Sequence, residues 1–176
     1  MKHLLTFILV TLCTITCSAQ IGKIFPELKG TTLNEKSFSI PADCKGKTTI
    51  ICMAYSKKAE EALHTWISPM YNKFVAKTGL MDDVYDVNLL FIPMFTGIHQ
   101  PTEKLAKRQL QDGTGKDFFN NVICYHGSIH PYKEELDLDE KELPYFFILD
   151  ENGKITFTTK GFYSDKKMEE ISDKIE

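Results

Sequence analysis

The sequence predicts an α/β fold in which helices cover both faces of a mixed central sheet. A continuous apolar run at 48–55 leads directly into an amphipathic helix that opens at Ser56. A second strand and helix follow, and strands joined through a helix by short links form a right-handed parallel crossover. A hairpin over 143–159 precedes a last helix. Its antiparallel strands make the predicted sheet a mixed one.

Two short strands are predicted ahead of the apolar run, at Glu27–Lys29 and Ser37–Ile40. Gly30 and the turn-forming pair Asn34-Glu35 separate them, so we expect an N-terminal hairpin that covers one edge of the sheet. The strand at 48–55 is apolar on both faces. This is typical of a central strand with helices above and below.

The first helix is predicted to run from an N-cap at Ser56 to about Lys77, because its apolar residues keep helical spacing. The remaining elements follow from the same patterns. They are a strand at Val87–Met94, a helix at Pro101–Gln111, a short strand near Val122–Cys124, a helical turn near Tyr132–Leu136, a strand at Tyr145–Asp150, its partner at Ile155–Thr159, and a helix capped by Ser164.

Residues 1–19 have the layout of a secretory signal peptide, with a short apolar run between basic residues and a small-x-small cleavage site before Gln20. The run is too short to span a bilayer, which takes about 20 apolar residues. We therefore expect an exported protein without a transmembrane segment, in a bacterial periplasm or outside the cell. A lipoprotein acylated at Cys17 is the alternative.

The remaining segment, 20–176, has the length of a single domain and enough apolar residues to bury a core. Its formal charge is 20 minus 24, or −4, once Lys2 leaves with the leader. A mildly acidic chain offers no footprint for nucleic acid. We assign no cofactor.

Cys44, Cys52 and Cys124 remain after the leader is removed. Three is an odd number, so at most one internal disulfide forms and one thiol is left over. Burial is the simplest way to keep such a thiol inert in an oxidising compartment.

Three features carry a family resemblance: Lys45-Gly46-Lys47 before the central strand, the strand-to-helix junction at 55–61, and Leu143-Pro144 ahead of the late hairpin. With these features the chain resembles the secreted branches of the thioredoxin-like superfamily. The resemblance implies a three-layer α/β/α sandwich with an N-terminal β-hairpin extension. It also implies that Pro144 is a cis proline facing the redox site.

A narrower resemblance is to the mitochondrial ATP synthase assembly-factor group of thioredoxin-like proteins. The similar motifs are Trp66-Ile67-Ser68-Pro69, Tyr125-His126-Gly127, Leu136-Asp137-Leu138 and the strand at Tyr145–Asp150. This likeness implies an assembly or chaperone role with a protein or peptide partner.

Thioredoxin chemistry needs a thiolate at the start of the first helix and a second cysteine three residues later. No cysteine occupies this turn, which reads Ser56, Lys57, Lys58, Ala59. We assign no catalytic residue here. The two lysines at a helix start also suggest an anion site, but Glu60 and Glu61 are near enough to offset their charge.

Two other cysteines are candidates for reactive thiols. Cys44 lies beside Lys45 and Lys47, which lower the pKa of an exposed thiol, while a solvated loop thiol or a disulfide to Cys124 are the competing interpretations. Cys124, His126 and His130 have a spacing that is compatible with copper or zinc, although exposed histidines in an ordinary loop explain it as well.

The sequence thus predicts a redox-inactive binding protein that holds an extended partner in the groove near Ser56–Ala59 and Pro144. Aromatic residues are expected to frame this groove, namely Tyr55, Trp66, Tyr125 and Tyr145. The alternative is a thiol-disulfide oxidoreductase that works through Cys44 or Cys124.

Overall fold

The computed structural model describes residues 20–96 and 100–175, so the predicted leader at 1–19 lies outside the described residues. Seven strands form one mixed sheet. They are β1 (Leu28–Thr32), β2 (Ser37–Ile40), β3 (Thr49–Ala54), β4 (Asn88–Phe95), β5 (Ile123–His126), β6 (Tyr145–Leu149) and β7 (Ile155–Lys160).

The described residues also form four α-helices, three between strands and one after β7: α1 (Lys57–Phe74), α2 (Gln100–Gly113), α3 (His130–Glu135) and α4 (Asp165–Ser172). Three short 3-10 turns lie at Ala42–Cys44, Asp82–Val84 and Lys116–Asn121. None of the described helices combines the length and the apolar character needed to cross a membrane.

The strands are ordered β2-β1-β5-β4-β3-β6-β7. β3, β4 and β5 run parallel to one another, while β6 and β7 add an antiparallel hairpin beside β3. The predicted N-terminal hairpin is confirmed, because β1 and β2 pair with each other and β1 then pairs with β5 at the sheet edge. The α/β fold with a mixed sheet is as predicted.

Each face of the sheet has its own apolar core, because side chains along a strand alternate between the faces. On β6, Phe146 packs beneath α1 and α4, whereas Phe147 packs on the opposite face with residues of α3. Part of α2 also packs on the Phe146 side. One face therefore carries three helices, and the other carries the short α3 and neighbouring loops.

The first helix ends earlier than predicted, at Phe74 instead of Lys77. Lys77 has a left-handed backbone with φ of 51°, which a right-handed helix cannot contain. The apolar spacing of the sequence ends at Phe74 as well, so the backbone stops following the helix where its buried face stops.

Candidate functional site: the first-helix junction and its covering strap

The junction between β3 and α1 brings the residues of the sequence-predicted site together. Ser56 has extended backbone angles, and its Oγ accepts a hydrogen bond of 3.1 Å from the backbone N–H of Ala59. This is the N-cap that the sequence predicts, and it satisfies one of the amides that a helix start leaves open. Ala59 is buried and Lys57 is exposed. The turn therefore presents a hydroxyl and two ammonium groups where a redox protein presents thiols.

A segment of the same chain, residues 138–142, lies across this junction, and we call it the strap. The Ser56 Oγ donates a hydrogen bond of 2.6 Å to the carbonyl oxygen of Lys141. The hydroxyl of Tyr55 donates one of 2.9 Å to the carbonyl oxygen of Leu138, whose side chain is buried. The groove expected beside the helix start is therefore contacted by the chain's own backbone.

Lys58 ties the strap to the first turn of α1. Its Nζ lies 2.6 Å from Oε1 of Glu142, and this hydrogen bond holds the pKa of Lys58 above its usual value. The charge of Glu61 adds to this effect, as the sequence predicts. The direct partner of Lys58, however, is a residue more than eighty positions away.

Tyr145 anchors the other side of the strap from the buried start of β6. Its hydroxyl accepts a hydrogen bond of 2.5 Å from the N–H of Glu140 and donates one of 2.9 Å to Oδ1 of Asp139. Lys160 of β7 also pairs with both acids, at 2.6 and 2.8 Å. The hydrogen bond from Lys160 holds the pKa of Asp139 below its usual value, with Tyr145 adding to the effect. This contact is therefore present at neutral pH and is lost as the pH falls through that lowered pKa.

Replacing Tyr145 with phenylalanine should loosen the strap while keeping the aromatic ring in the core. Glu140 loses its acceptor and Asp139 loses a donor, so we expect the free energy of unfolding to fall by about 1–2 kcal/mol. Amide hydrogen exchange at Glu140 should become faster. Tyr163→Phe is the matched control, since that hydroxyl only donates to the exposed Asp165. Unchanged exchange at Glu140 would show that Tyr145 does not hold the strap.

The expectation that Pro144 is a cis residue is wrong. The cis peptide bond among the described residues is Ile40–Pro41, and the Leu143–Pro144 bond is trans. Pro144 is buried, and its carbonyl oxygen accepts a hydrogen bond of 3.0 Å from the N–H of Gly161. Pro144 is therefore a buried residue between the strap and β6.

The expected aromatic frame of the groove is also only partly present. Tyr55 and Tyr145 do lie together at the junction, with ring centroids 6.3 Å apart. Trp66 instead is fully buried in the core beneath α1. Tyr125 hydrogen-bonds the carbonyl oxygen of Ser128. The sequence spacing of Trp66 places it on the face of α1 that packs against the sheet. Because it is buried there, Trp66 does not frame the expected groove.

Cys44 is not the exposed thiol that the sequence analysis considered. It is 2% exposed on the 3-10 turn, and burial raises its pKa to about 11, against the opposing effect of a hydrogen bond with Thr49. Its neighbour Lys47 forms a salt bridge with Asp86. Lysines beside a cysteine lower its pKa only when the thiol is exposed, so the neighbouring lysines do not activate Cys44.

The other two cysteines are buried inside the sheet. Cys52 lies on β3 with its Sγ 3.5 Å from the Sδ of Met70, and burial raises its pKa well above the usual value. Cys124 on β5 is also fully buried. Cys44 and Cys124 belong to the cores on opposite faces of the sheet, and no disulfide joins them.

The candidate metal ligands are not brought together. His126 stacks on Phe95 with ring centroids 5.2 Å apart, whereas His130 is exposed at the start of α3. Cys124 points into the core beneath α1. Within the part of the chain that the structure describes, no three residues of suitable type form a group that holds a metal ion.

Sequence reasoning missed the strap and the residues that anchor it. The available sequence signal is the acidic character of the connection between α3 and β6. Acidic composition does not show which basic side chains lie opposite. Lys58 and Lys160 come from two separate elements, and only the folded sheet places them on either side of the strap.

Several solved structures share this fold. The chain is similar to the exposed lipoprotein thioredoxin Etrx1 of Streptococcus pneumoniae, with 17% identity, 84% of this chain and 98% of that chain covered, and a TM-score of 0.55. It is also similar to the thioredoxin domain of a thiol-disulfide oxidoreductase from Bacteroides vulgatus, with 17% identity, 89% of this chain and 98% of that chain covered, and a TM-score of 0.57. A third similar structure is that of StoA from Bacillus subtilis, with 18% identity, 87% of this chain and 98% of that chain covered, and a TM-score of 0.54. At these identities the likeness shows the thioredoxin-like fold alone.

The comparison with protein families is more specific. No curated protein matched the chain. A family model described as ATP10 protein matches residues 17–175, which is nearly the whole sequence. This agrees with the assembly-factor resemblance of the motifs around Trp66 and Tyr145. The chain therefore belongs to the ATP10 protein family and has a thioredoxin-like fold.

Proposed function

We propose that this chain is an exported, redox-inactive thioredoxin-like protein that binds a protein partner in an assembly or chaperone role. The observation that carries the proposal is the composition of the junction, where Ser56, Lys57, Lys58 and Ala59 stand in place of a thiol pair. A helix start activates a thiolate through its free amides and its dipole. Because no cysteine occupies that turn, the helix start has no thiol whose pKa it could lower.

The remaining thiols do not replace the missing pair. Nucleophilic attack on a disulfide requires a thiolate that the substrate can reach. Cys44, Cys52 and Cys124 are each no more than 2% exposed, and burial favours the neutral thiol at the first two of them. These facts support a binding role over the alternative, an oxidoreductase that works through Cys44 or Cys124.

The proposed binding surface is the outer face of the strap together with the exposed first turn of α1. The strap already contacts the junction through the hydrogen bond from Ser56 to Lys141, which leaves less of it for an extended partner. A partner then contacts the strap itself, where Glu140, Lys141 and Glu142 are exposed beside Lys57. Membership of the ATP10 family, with its resemblance to assembly factors, supports a protein as that partner.

The redox part of the proposal is tested by insulin reduction. We expect the purified protein to give no turnover above the dithiothreitol background, with thioredoxin as the positive control, because no activated thiolate is available. Catalysed reduction that disappears in Cys44→Ser or Cys124→Ser would contradict the proposal and favour the oxidoreductase.

The binding part is tested by site-specific photocrosslinking in the cell that makes the protein. A benzophenone side chain at Lys57 or at Lys141 should give a discrete crosslinked product. The matched control is Glu151, which is exposed in the β6–β7 turn at the opposite end of the sheet. Equal crosslinking from all three positions, or none from the first two, would reject the strap as the binding surface.

Export rests on the leader at 1–19. Mass spectrometry of the protein recovered from the cell envelope or medium should show an N-terminus at Gln20. An acylated N-terminus at Cys17 would establish the lipoprotein alternative, and an intact Met1 on all of the protein would contradict export.

A further inference from the structure

A cavity of about 540 Å³ lies beside α1, on the flank that faces β4 and the end of α2. Its volume falls within the range of about 300–1,000 Å³ found for small-molecule sites. None of its lining residues belongs to the strap, and it shares with the proposed partner surface only the first turn of α1, through Glu60. It is therefore a candidate site of its own.

The inner surface of the cavity is apolar. It is lined by Leu63 and Ile67 of α1, Phe91 of β4 and Phe118 of the 3-10 turn. Three of these four side chains are buried, so they form a fixed surface anchored in the core. An apolar ligand placed against them removes hydrocarbon from water and is stabilised by the hydrophobic effect.

The two acidic side chains of the cavity favour a cation. Glu60 on α1 and Asp117 on the 3-10 turn contribute carboxylates, and among the described lining side chains there is no lysine or arginine. Neither carboxylate is in a salt bridge with another described residue. Glu60 is half-buried, and burial raises its pKa, with Glu61 adding to the effect and Lys57 opposing it. A cationic ligand would replace the solvation that Glu60 has lost.

We propose that this cavity binds a small molecule with an apolar body and a protonated amine. The apolar body lies against Leu63, Ile67 and Phe118, and the ammonium pairs with Glu60 or Asp117. The two carboxylates disfavour an anionic amphiphile of the same shape, because its carboxylate would meet two like charges, and among the described lining side chains only the imidazole of His64 could partner it.

Three dansyl probes with the same fluorophore and similar chain length test this charge preference. Dansylcadaverine carries a protonated amine, its N-acetyl derivative is neutral, and dansyl-6-aminohexanoate carries a carboxylate. Titration into the purified protein, followed by dansyl emission, should show saturable binding of the amine. We expect its affinity to exceed that of the carboxylate by about tenfold or more. No saturable binding of the amine, or equal affinities for all three probes, would overturn the proposal.

Variants at the rim locate the binding in this cavity. Gly113 lines it, and no atom lies within 4 Å of the position that a Cβ would take there. Gly113→Phe should fill space in the cavity and abolish binding of the amine probe, whereas Gly113→Ala, the matched control, should keep it. Gly115→Phe serves as a second plug if the first variant does not fold, since Gly115 has equal space.

Replacing Glu60 with glutamine separates charge from shape. Glu60→Gln should reduce the preference for the amine over the acetylated probe while leaving the affinity of the neutral probe nearly unchanged. Thermal unfolding checks that each variant is folded. If plugged variants that remain folded bind the amine probe as the unmodified protein does, the cavity is not the site.

Discussion

Replacing Trp66 with alanine is expected to lower the free energy of unfolding by about 3–5 kcal/mol, the range for losing a large aromatic side chain from a core. Trp66 is fully buried, and its ring lies 4.3 Å from that of Phe146 and 5.3 Å from that of Tyr163. Its Nε1 donates a hydrogen bond of 3.0 Å to the carbonyl oxygen of Gly161. One side chain thus joins α1, β6 and the segment after β7. Urea unfolding followed by circular dichroism measures the loss.

Trp66→Phe separates the two contributions of this residue. Phenylalanine keeps most of the packing but leaves the Gly161 carbonyl without its donor, so we expect a smaller loss, with about 1–3 kcal/mol from the unsatisfied carbonyl. A Trp66→Ala protein with unchanged stability would show that Trp66 lies in the accessible groove considered from sequence, and not in the core.

Replacing Gly30 with alanine should have the second largest effect, a loss of about 1–3 kcal/mol. A Cβ at this position would lie 2.7 Å from the carbonyl oxygen of Cys124, and that backbone cannot yield without parting two strands. β1 connects the N-terminal hairpin to β5 through Thr31, which pairs with Cys124. The substitution therefore weakens the attachment of the whole hairpin.

Gly115→Ala is the matched control for Gly30→Ala. Its Cβ would have no neighbour within 4 Å, and its backbone φ of −61° suits any residue. The reduced freedom of the unfolded chain then makes this control neutral or more stable by about 0.4–1 kcal/mol. The two variants compared by urea unfolding isolate the close approach of the strands. Gly30→Ala with the stability of the control would refute that close approach.

The secondary structure was predictable where the local pattern is strong. β3 is apolar at every position after Thr49, and Ser56 is a good N-cap shortly after it, so both the strand and the start of α1 followed from the sequence. The hairpin at β6 and β7 followed from a long apolar run and an Asn152-Gly153 turn. In each case the signal lies within a few residues of the element it specifies.

The candidate site was less predictable because its contacts join distant parts of the chain. Ser56 and Lys141 are separated by 85 residues, and nothing in either segment indicates the other. The lysines around Cys44 suggested an exposed thiol, whereas a 3-10 turn directs it into the core. The expected cis state of Pro144 came from family resemblance, and no local pattern in this sequence could test it.

Alkylation of the native protein with iodoacetamide, read by peptide mass spectrometry, tests the central claim that this thioredoxin-like scaffold has no usable thiol. We expect Cys44, Cys52 and Cys124 to stay unmodified in the folded protein and to be modified after unfolding in guanidinium chloride. All three are no more than 2% exposed. Rapid modification of any one of them in the folded protein would contradict the claim.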